Sequence, residues 1–340
     1  MSRGALIATF SCLTPSQALS LFPPMAAPPD RAGETARPPA QMRQTFRFCA
    51  RSSGSHRVVP GLPATPPWGI QKTVAPILIG TSGFSYPHWR HGVFYPEHWP
   101  ASRELEFYAG AFATVELNNP FYRLPSTAAF ARWRQVTPPN FCFSVKASRY
   151  ITHVKRLHAA VPALRLFLAR AGRLGPKLGP VLFQFPAAWR LNLERLEEFL
   201  PRLPRQRLFA FEFRHPSWFV PAVADRLRNY GAAWCHAVHP DLPPPLDVVT
   251  APFTYIRFHA GRGEGGNFTA AELRPWARRI AGYARSGIAV YAYFNNDWRG
   301  FALANARQLL AFAAPPTSPP TSSLRRSAGA VPSRSRRYLP

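Results

Sequence analysis

The chain has 340 residues, of which 46% are hydrophobic and 14% aromatic, so it can bury a sizeable core in one large domain or two modest ones. Its net charge of +26 comes almost entirely from arginine and points to anionic partners, although an arginine-biased coding composition explains it equally well. No apolar run reaches the roughly 18 residues of a membrane span. The four cysteines form no CxxC pair, which favours a reducing, cytoplasmic location over a disulfide framework or a zinc ribbon.

Both ends of the chain differ in composition from its middle. Residues 1–75 are rich in proline, alanine, arginine and serine, show no sustained period and carry a net charge of +6, so we predict a disordered extension. A transit peptide, a secretory signal and an extension from an upstream start codon are the alternatives. Residues 313–340, with a net charge of +5, are predicted to be a second disordered tail. The predicted folded domain, 76–312, is itself basic, at +15.

Within this domain, short apolar strands alternate with amphipathic helical stretches. The strands are predicted at 77–80, 114–118, 141–146, 181–185, 208–214, 232–236, 254–259 and 289–295. The helices are predicted around 103–111, 127–135, 162–174, 193–200, 221–230, 270–286 and 301–312. Ser126 suits a helix N-cap, and Pro162 and Pro221 suit first-turn positions. Only the sixth strand lacks a following helix, because "PDLPPPLDVV" reads as a loop. The pattern predicts an α/β fold, a (β/α)8 barrel of the TIM type, with an open doubly wound sheet as the alternative.

The fifth strand carries the clearest polar signal. In "FAFEFR", residues 209–214, the three phenylalanines share one face, while Ala210, Glu212 and Arg214 share the other. A barrel strand packs one face on the helices and points the other into the barrel. Glu212 and Arg214 are therefore predicted to point inward near the carboxyl end of the strand, where the active sites of such barrels lie.

Other strands become polar at the same end. The inward-facing or strand-terminal residues are Glu116, Asn118, Lys146, Gln184, Arg257, His259, Asn295 and Asn296. A barrel built for burial alone has no need of them, because each buried polar group must find a partner. Their recurrence predicts a polar pocket at the carboxyl ends of the strands.

Seven stretches of the domain carry a resemblance to a known family. In chain order they are "GTSGFSYPHWR" (80–90), "VELNNPFYRLP" (115–125), "FSVKASRYITH" (143–153), "GPVLFQFP" (179–186), "FAFEFRHPSW" (209–218), "YIRFHA" (255–260) and "YAYFNNDWRGFALANA" (291–306). They resemble the DUF72, or YecE-like, family, in the family's own order and over about 77–312. The family is similar in fold to TIM barrels, so the resemblance implies a barrel, but it implies no established activity, metal or cofactor. One departure is His259-Ala260, where the family typically has His-Gly.

Several residue types in the predicted pocket suit catalysis. Glu116 and Glu212 could face each other across the mouth, as general acid and base or in glycoside hydrolysis, unless arginine neutralises them. Lys146 suits a Schiff-base nucleophile or, more simply, an anion anchor. With His215, these are the candidate catalytic residues.

The remaining candidates suit ligand binding. Arginines suit phosphate or carboxylate, amides suit a sugar or a base edge, and loop aromatic rings suit stacking. The set is Asn118, Tyr122, His153, Gln184, Arg214, Trp218, Arg257, His259, Asn295 and Asn296. His153 suits either a proton shuttle or a loop-fixing role. We expect no metal, because His215, His236 and His259 lack HxH or HExxH spacing and the nearby cations would repel one.

Two classes of function fit this pocket. The first is a metal-independent enzyme or binding protein for a small anionic or sugar-like ligand, with no cofactor. The alternative is a nucleic-acid-binding protein, such as a repair-type phosphodiesterase, which would use a basic barrel mouth on the backbone and aromatic rings on the bases. A basic stripe along the surface would favour nucleic acid, and charge confined to the pocket would favour a small ligand.

Overall fold

The computed structural model describes residues 74–242 and 246–314. Apart from two residues at each inner edge, the extensions predicted at 1–75 and 313–340 lie outside the described residues. The strands are β1 (Ile77–Thr81), β2 (Thr114–Leu117), β3 (Cys142–Lys146), β4 (Leu178–Gln184), β5 (Phe209–Glu212), β6 (Ala233–Val238), β7 (Phe253–Phe258) and β8 (Ala289–Phe294). The α-helices are α1 (Glu104–Ala111), α2 (Asn119–Tyr122), α3 (Thr127–Gln135), α4 (Val161–Ala171), α5 (Leu193–Phe199), α6 (Pro221–Asn229), α7 (Ala270–Arg285) and α8 (Phe301–Ala313).

The eight strands form a nearly closed parallel barrel. Each strand from β2 to β7 pairs with the next one along the chain, and β8 pairs with both β7 and β1. The predicted (β/α)8 barrel is therefore confirmed, and the open doubly wound sheet is excluded because the first strand returns to the last. Between β6 and β7 the described residues contain no helix, as the proline-rich sequence there predicts.

Alternation along the strands separates two packing layers. On β5, Phe209 and Phe211 pack outward in the main core beneath the helices, while Ala210 points into the barrel. The barrel interior is filled largely by aromatic rings from β7 and β8. Tyr255 and Tyr293 lie with ring centroids 5.3 Å apart. The lower barrel is thus a packed core, and the polar residues are left to its carboxyl end.

The barrel closes between β1 and β2 with few strand-to-strand hydrogen bonds. A single parallel bridge joins Ser82 to Glu116. Below it, the hydroxyl of Tyr108 from α1 accepts a hydrogen bond from the Thr81 N–H (3.0 Å) and donates one to the Thr114 carbonyl (3.1 Å). The Tyr108 side chain, from a helix outside the barrel, thus bridges the two strands where backbone hydrogen bonds between them are few. Glycine is required nearby, since a Cβ at position 80 would lie 2.2 Å from the Thr114 carbonyl oxygen.

The helices begin where the local sequence predicts. The Ser126 side chain accepts a hydrogen bond from the Ala129 N–H at 3.2 Å, as an N-cap of α3. Pro162 and Pro221 lie in the first turns of α4 and α6. Of the helices in 74–242 and 246–314, none combines the length and apolarity needed to cross a membrane.

Candidate functional site

A buried arginine at the carboxyl end of β7 ties two strands together. The Arg257 guanidinium donates to both carboxylate oxygens of Glu116 on β2, from Nε to Oε2 at 3.0 Å and from Nη2 to Oε1 at 2.7 Å. Its Nη1 donates to Oε2 of Glu212 on β5 at 2.8 Å. All three side chains are almost completely buried. The two glutamates predicted to meet across the mouth thus share one arginine as their counter-ion.

Glu116 is held by two further donors. The Ser82 hydroxyl donates to its Oε1 at 2.6 Å, and the Tyr255 hydroxyl donates to its Oε2 at 2.7 Å. Burial alone would raise the pKa of this carboxyl, but the charge and hydrogen bonds of Arg257 outweigh burial and lower it. Glu116 is therefore a fixed carboxylate near neutral pH.

Glu212 is paired on its outer side as well. Its Oε1 accepts from Arg214 Nε at 2.9 Å and lies 3.0 Å from His259 Nε2. The Asn295 amide nitrogen lies 3.2 Å from His259 Nδ1, so the contacts with Glu212 and Asn295 fit an imidazole that donates from Nε2 and accepts at Nδ1. Arg214 Nη2 also lies 3.3 Å from Nε2. Burial opposes ionisation of Glu212, yet Arg257, His259 and Arg214 together hold its pKa well below the usual range.

Lys146 stands at the end of β3 without a carboxylate partner. Its Nζ lies 4.0 Å from the centre of the Phe121 ring, and it makes no hydrogen bond or ion pair with the residues that the structure describes. Burial, and then the charge of Arg257, lower the pKa of Lys146 to about 8. His153 packs edge-on against the same Phe121 ring, with centroids 5.0 Å apart. Burial and the charge of Lys146 lower the pKa of His153 to about 4, so its ring is neutral at pH 7.

An open pocket of about 1030 Å³ lies over the loops after β1, β2 and β8. Asn118, Tyr122 and Asn295 line it, together with Tyr86. The side chain of Tyr122 is 79% exposed, so its ring can be reached from solvent. The Oδ1 atom of Asn118 is buried and has no hydrogen-bond partner among the described residues. The lining of the pocket thus includes an exposed aromatic ring and two amide side chains.

Two predicted site residues, Trp218 and His215, make their contacts within the protein. Trp218 is fully buried, stacks on Phe213 with centroids 4.4 Å apart and donates its indole N–H to the Trp189 carbonyl, so neither ring face is open to a ligand. His215 caps the following 3₁₀ turn, where its Nδ1 accepts from the Ser217 N–H at 3.1 Å.

Asn296 and Gln184 also bond within the protein. The Asn296 amide donates to the Gly266 carbonyl at 3.1 Å and to Asn305 Oδ1 at 2.8 Å, and so ties the loop after β7 to α8. The Gln184 amide donates to the Phe185 carbonyl.

The sequence pattern does not indicate several of the residues that the structure places at the mouth. Ser82 and Tyr86 follow β1, where the sequence pattern predicts no polar site residue, and Tyr255 lies in β7, where the pattern indicates Arg257 and His259 alone. Tyr255 carried a usable signal, because period-two alternation puts it on the same face as Arg257 and His259. Phe121 lies in α2, a short helix that the sequence pattern did not indicate.

The histidines lie apart from one another. His236 is fully buried on the outer face of β6, between the rings of Trp276 and Tyr283, whereas His259 points to the mouth. In residues 74–242 and 246–314, no three histidine, cysteine, aspartate or glutamate side chains are arranged to hold a metal ion.

Comparison with known sequences identifies relatives. The sequence profile of the family described as "Protein of unknown function DUF72" matches residues 78–326. "UPF0759 protein YecE" of Escherichia coli (strain K12) is 32% identical over 157 residues, 46% of this chain and 54% of YecE, so the match spans about half the length of that relative. "UPF0759 protein YunF" of Bacillus subtilis (strain 168) is 27% identical over 270 residues, 69% of this chain and 93% of YunF.

Solved structures show the same architecture. A DUF72 family protein from Thermotoga maritima is similar with a TM-score of 0.62 and 30% identity, over 69% of this chain and 98% of that protein. A DUF72 family protein from Enterococcus faecalis gives a TM-score of 0.56 at 20% identity, over 70% of this chain and 98% of that protein, and shows likeness of fold alone.

Proposed function

The chain belongs to the DUF72 family, and we propose that its barrel mouth binds a small organic anion, a carboxylate or phosphate on a sugar-like molecule, without a metal. The observation that carries this proposal is the Lys146 ammonium, which faces the mouth with no carboxylate of its own. Lys146, Arg214 and Arg257 outnumber Glu116 and Glu212 by one charge. An anion would compensate this excess, whereas a metal cation would be repelled by it.

The contacts of the two glutamates favour a structural role over acid-base catalysis. A glycosidase-type mechanism needs one carboxyl group whose pKa is raised, so that it can donate a proton near neutral pH. Both Glu116 and Glu212 instead have lowered pKa values and are hydrogen-bonded to Arg257. We therefore assign them the role of fixing Arg257, and any chemistry at the site falls to Lys146.

The neighbouring pocket supports a ligand larger than the anion alone. Asn118 and Asn295 supply amide groups that suit sugar hydroxyls, and the exposed ring of Tyr122 suits stacking on a sugar or another ring. Arg214 is 30% exposed, donates from Nε to Glu212 and has its Nη2 3.3 Å from His259 Nε2, which leaves Nη1 for an anion.

Equilibrium binding to the full-length protein tests this proposal. The probes are inorganic phosphate, acetate and glucose 6-phosphate, with glucose as the uncharged match, measured by titration calorimetry. We expect glucose 6-phosphate to bind more tightly than glucose. Lys146→Met should weaken the binding of glucose 6-phosphate roughly 10- to 100-fold, which corresponds to the loss of one hydrogen bond to a charged group.

Lys155→Met is the matched control, because Lys155 lies over the Tyr150 ring outside the set of mouth residues. It should leave the affinity within about twofold of wild type, as expected for a distant site. No binding of any of the three anions, or equal loss in the two lysine variants, would contradict the proposal.

The high positive charge favours one second candidate, nucleic-acid binding, since residues 76–312 carry a net charge of +15. However, arginines occur on α3, α4, α5, α6, α7 and α8, all around the barrel, and this spread does not favour a stripe aligned with the mouth. A salt titration of binding to single- and double-stranded DNA distinguishes the two candidates. Nucleic-acid recognition at the mouth requires tight binding that falls steeply with salt and weakens in Lys146→Met.

A cytoplasmic location is part of the same proposal. Cys142 and Cys235 are unpaired thiols within the barrel strands, and burial raises the pKa of Cys142 to about 12. Unreactive, unpaired cysteines suit a reducing compartment.

A further inference from the structure

Lysine is rare in this chain, and its positions are informative. The sequence contains four lysines against 38 arginines. Where a positive charge alone is needed, the composition supplies arginine. A lysine at the barrel mouth, where β3 ends, therefore suggests that a primary amine is needed there. The main chemical difference is that an amine can lose its proton near neutral pH, whereas a guanidinium cannot.

The other buried lysine has a structural reason to be one. The Lys177 ammonium donates to the carbonyls of Arg134 and Thr137, both at 2.6 Å, and to the Thr137 hydroxyl at 3.0 Å. Three acceptors around one nitrogen match the three N–H bonds of an ammonium, and a planar guanidinium would not reproduce them. Lys146 has no such set of acceptors among the described residues, so this explanation does not extend to it.

The surroundings of Lys146 bring the loss of its proton close to neutral pH, so the ammonium and the free amine are both accessible. Burial lowers the pKa of Lys146, and the charges of Arg257 and Arg214 lower it further, although the cation–π contact of Nζ with the Phe121 ring favours the ammonium. Glu116 and Glu212 would favour the ammonium, but Arg257 is hydrogen-bonded to both. Partial burial and neighbouring cations are the conditions that activate a lysine amine as a nucleophile.

We propose that Lys146 is a nucleophile that forms a Schiff base with the carbonyl carbon of an anionic aldehyde or ketone. This inference rests on the proposed function and names its substrate class. The carboxylate or phosphate of the substrate would lie at Nη1 of Arg214, and its carbonyl carbon would lie at Lys146 Nζ.

The reaction balances without any further reactant. The protonated lysine and the carbonyl compound combine to give a protonated imine and one water molecule. A C–N bond forms, the carbonyl C–O bond breaks, and the oxygen leaves in water with two of the protons that the ammonium nitrogen carried. One positive charge is present before and after. The imine keeps this charge beside the fixed carboxylates of Glu116 and Glu212.

Reductive trapping on the full-length protein tests the inference. Pyridoxal 5′-phosphate serves as the probe because it carries both an aldehyde and a phosphate. A limiting amount is added at pH 8, borohydride reduces any imine, and peptide mass spectrometry locates the adduct. With a pKa of about 8, Lys146 is about half deprotonated at this pH. The deprotonated fraction of an ordinary lysine is roughly 100-fold smaller. We expect Lys146 to be labelled at least about tenfold faster than Lys72, Lys155 or Lys177.

Two comparisons make the result specific. Pyridoxal, which lacks the phosphate, should label Lys146 more slowly, and inorganic phosphate should compete with the phosphorylated probe. Lys146→Arg keeps the charge and should abolish the fast adduct, while Lys155→Arg should leave it unchanged. Thermal unfolding establishes that both variants are folded. The inference is overturned if Lys146 is not labelled, or if it reacts no faster than the other lysines.

The outcomes also separate this inference from the function on which it rests. If Lys146→Arg still binds glucose 6-phosphate and the wild type forms no adduct, the anion site stands and the Schiff base is wrong. If neither anion binding nor fast labelling occurs in the wild type, both are wrong.

Discussion

Arg257 is the residue on which the geometry of the mouth depends most directly. It makes three hydrogen bonds to two carboxylates on two other strands, β2 and β5, and none of the three side chains has appreciable contact with solvent. Replacing it by methionine would leave Glu116 and Glu212 buried without their main counter-ion. We expect Arg257→Met to lower the free energy of unfolding by about 3–5 kcal/mol, measured by urea denaturation.

A surface pair provides the control for this prediction. Arg228 and Asp225 lie 2.6 Å apart on α6, and both side chains are at least half exposed. Arg228→Met should cost no more than about 1 kcal/mol. Adding Glu116→Gln and Glu212→Gln to Arg257→Met removes the uncompensated charges and should restore part of the lost stability. Equal effects of Arg257→Met and Arg228→Met would show that the buried cluster is not a structural centre.

Side-chain positions could be predicted at the residue scale within the strands and, for Arg214 and His259, just beyond the ends of β5 and β7. Glu116, Lys146, Glu212 and Arg257 lie within strands, and alternation placed each of them on the inner face. His215, Trp218 and Asn296 lie beyond the ends of β5 and β8, in turns where direction depends on local backbone geometry. The period-two rule no longer applies there, and all three side chains bond or pack within the protein.

At the scale of elements, Tyr108 of α1 closes the barrel between β1 and β2. Its hydroxyl is the shared partner of a buried N–H on Thr81 and a buried carbonyl on Thr114. Tyr108→Phe removes that partner from both strands and leaves backbone groups unsatisfied. We expect a loss of about 1–3 kcal/mol in the free energy of unfolding, together with faster amide hydrogen exchange at Thr81.

Tyr291 of β8 offers a matched control. It is also buried in the barrel, and its hydroxyl makes no hydrogen bond with the residues that the structure describes. Tyr291→Phe should therefore change stability much less than Tyr108→Phe. If the two substitutions have the same effect, the hydroxyl of Tyr108 does not hold the two strands together.

The elements themselves could largely be predicted from the sequence. All eight strands overlap their predicted ranges, because buried parallel strands are continuous apolar runs bounded by turn residues. The short α2 and the π-helical turn Tyr150–Val154 were not predicted. Neither spans enough residues to establish a helical period, and both lie in loops over the mouth. Phe121 comes from the first segment and His153 from the second. The sequence indicates His153 as a candidate, but the packing of both His153 and Lys146 on the Phe121 ring could not be predicted.

At the scale of the whole molecule, titratable groups make the fold sensitive to acid. His153, His236 and His259 all have lowered pKa values, because burial disfavours their charged forms. Such groups bind protons more readily in the unfolded chain, so protonation below pH 6.5 favours unfolding. Glu116 and Glu212 act in the same direction at lower pH, since their lowered pKa values contribute stability that is lost as they become protonated. The fold should therefore be most stable above about pH 6.5.

His236 allows this expectation to be measured at one site. Burial, and then the charge of Arg279, lower its pKa from 6.5 to about 3, and neither ring nitrogen has a hydrogen-bond partner among the described residues. As the pH falls from 6 to 4, the uncharged His236 should lower the free energy of unfolding by up to about 1.4 kcal/mol per pH unit, because the unfolded chain binds the proton more readily. His236→Phe keeps a ring between Trp276 and Tyr283 but cannot take up a proton, so urea denaturation of this variant should show a flatter dependence on pH. His158→Phe, at an exposed position, should keep the wild-type slope. If the slope persists in His236→Phe, the acid sensitivity arises from the glutamates and the histidines of the mouth instead.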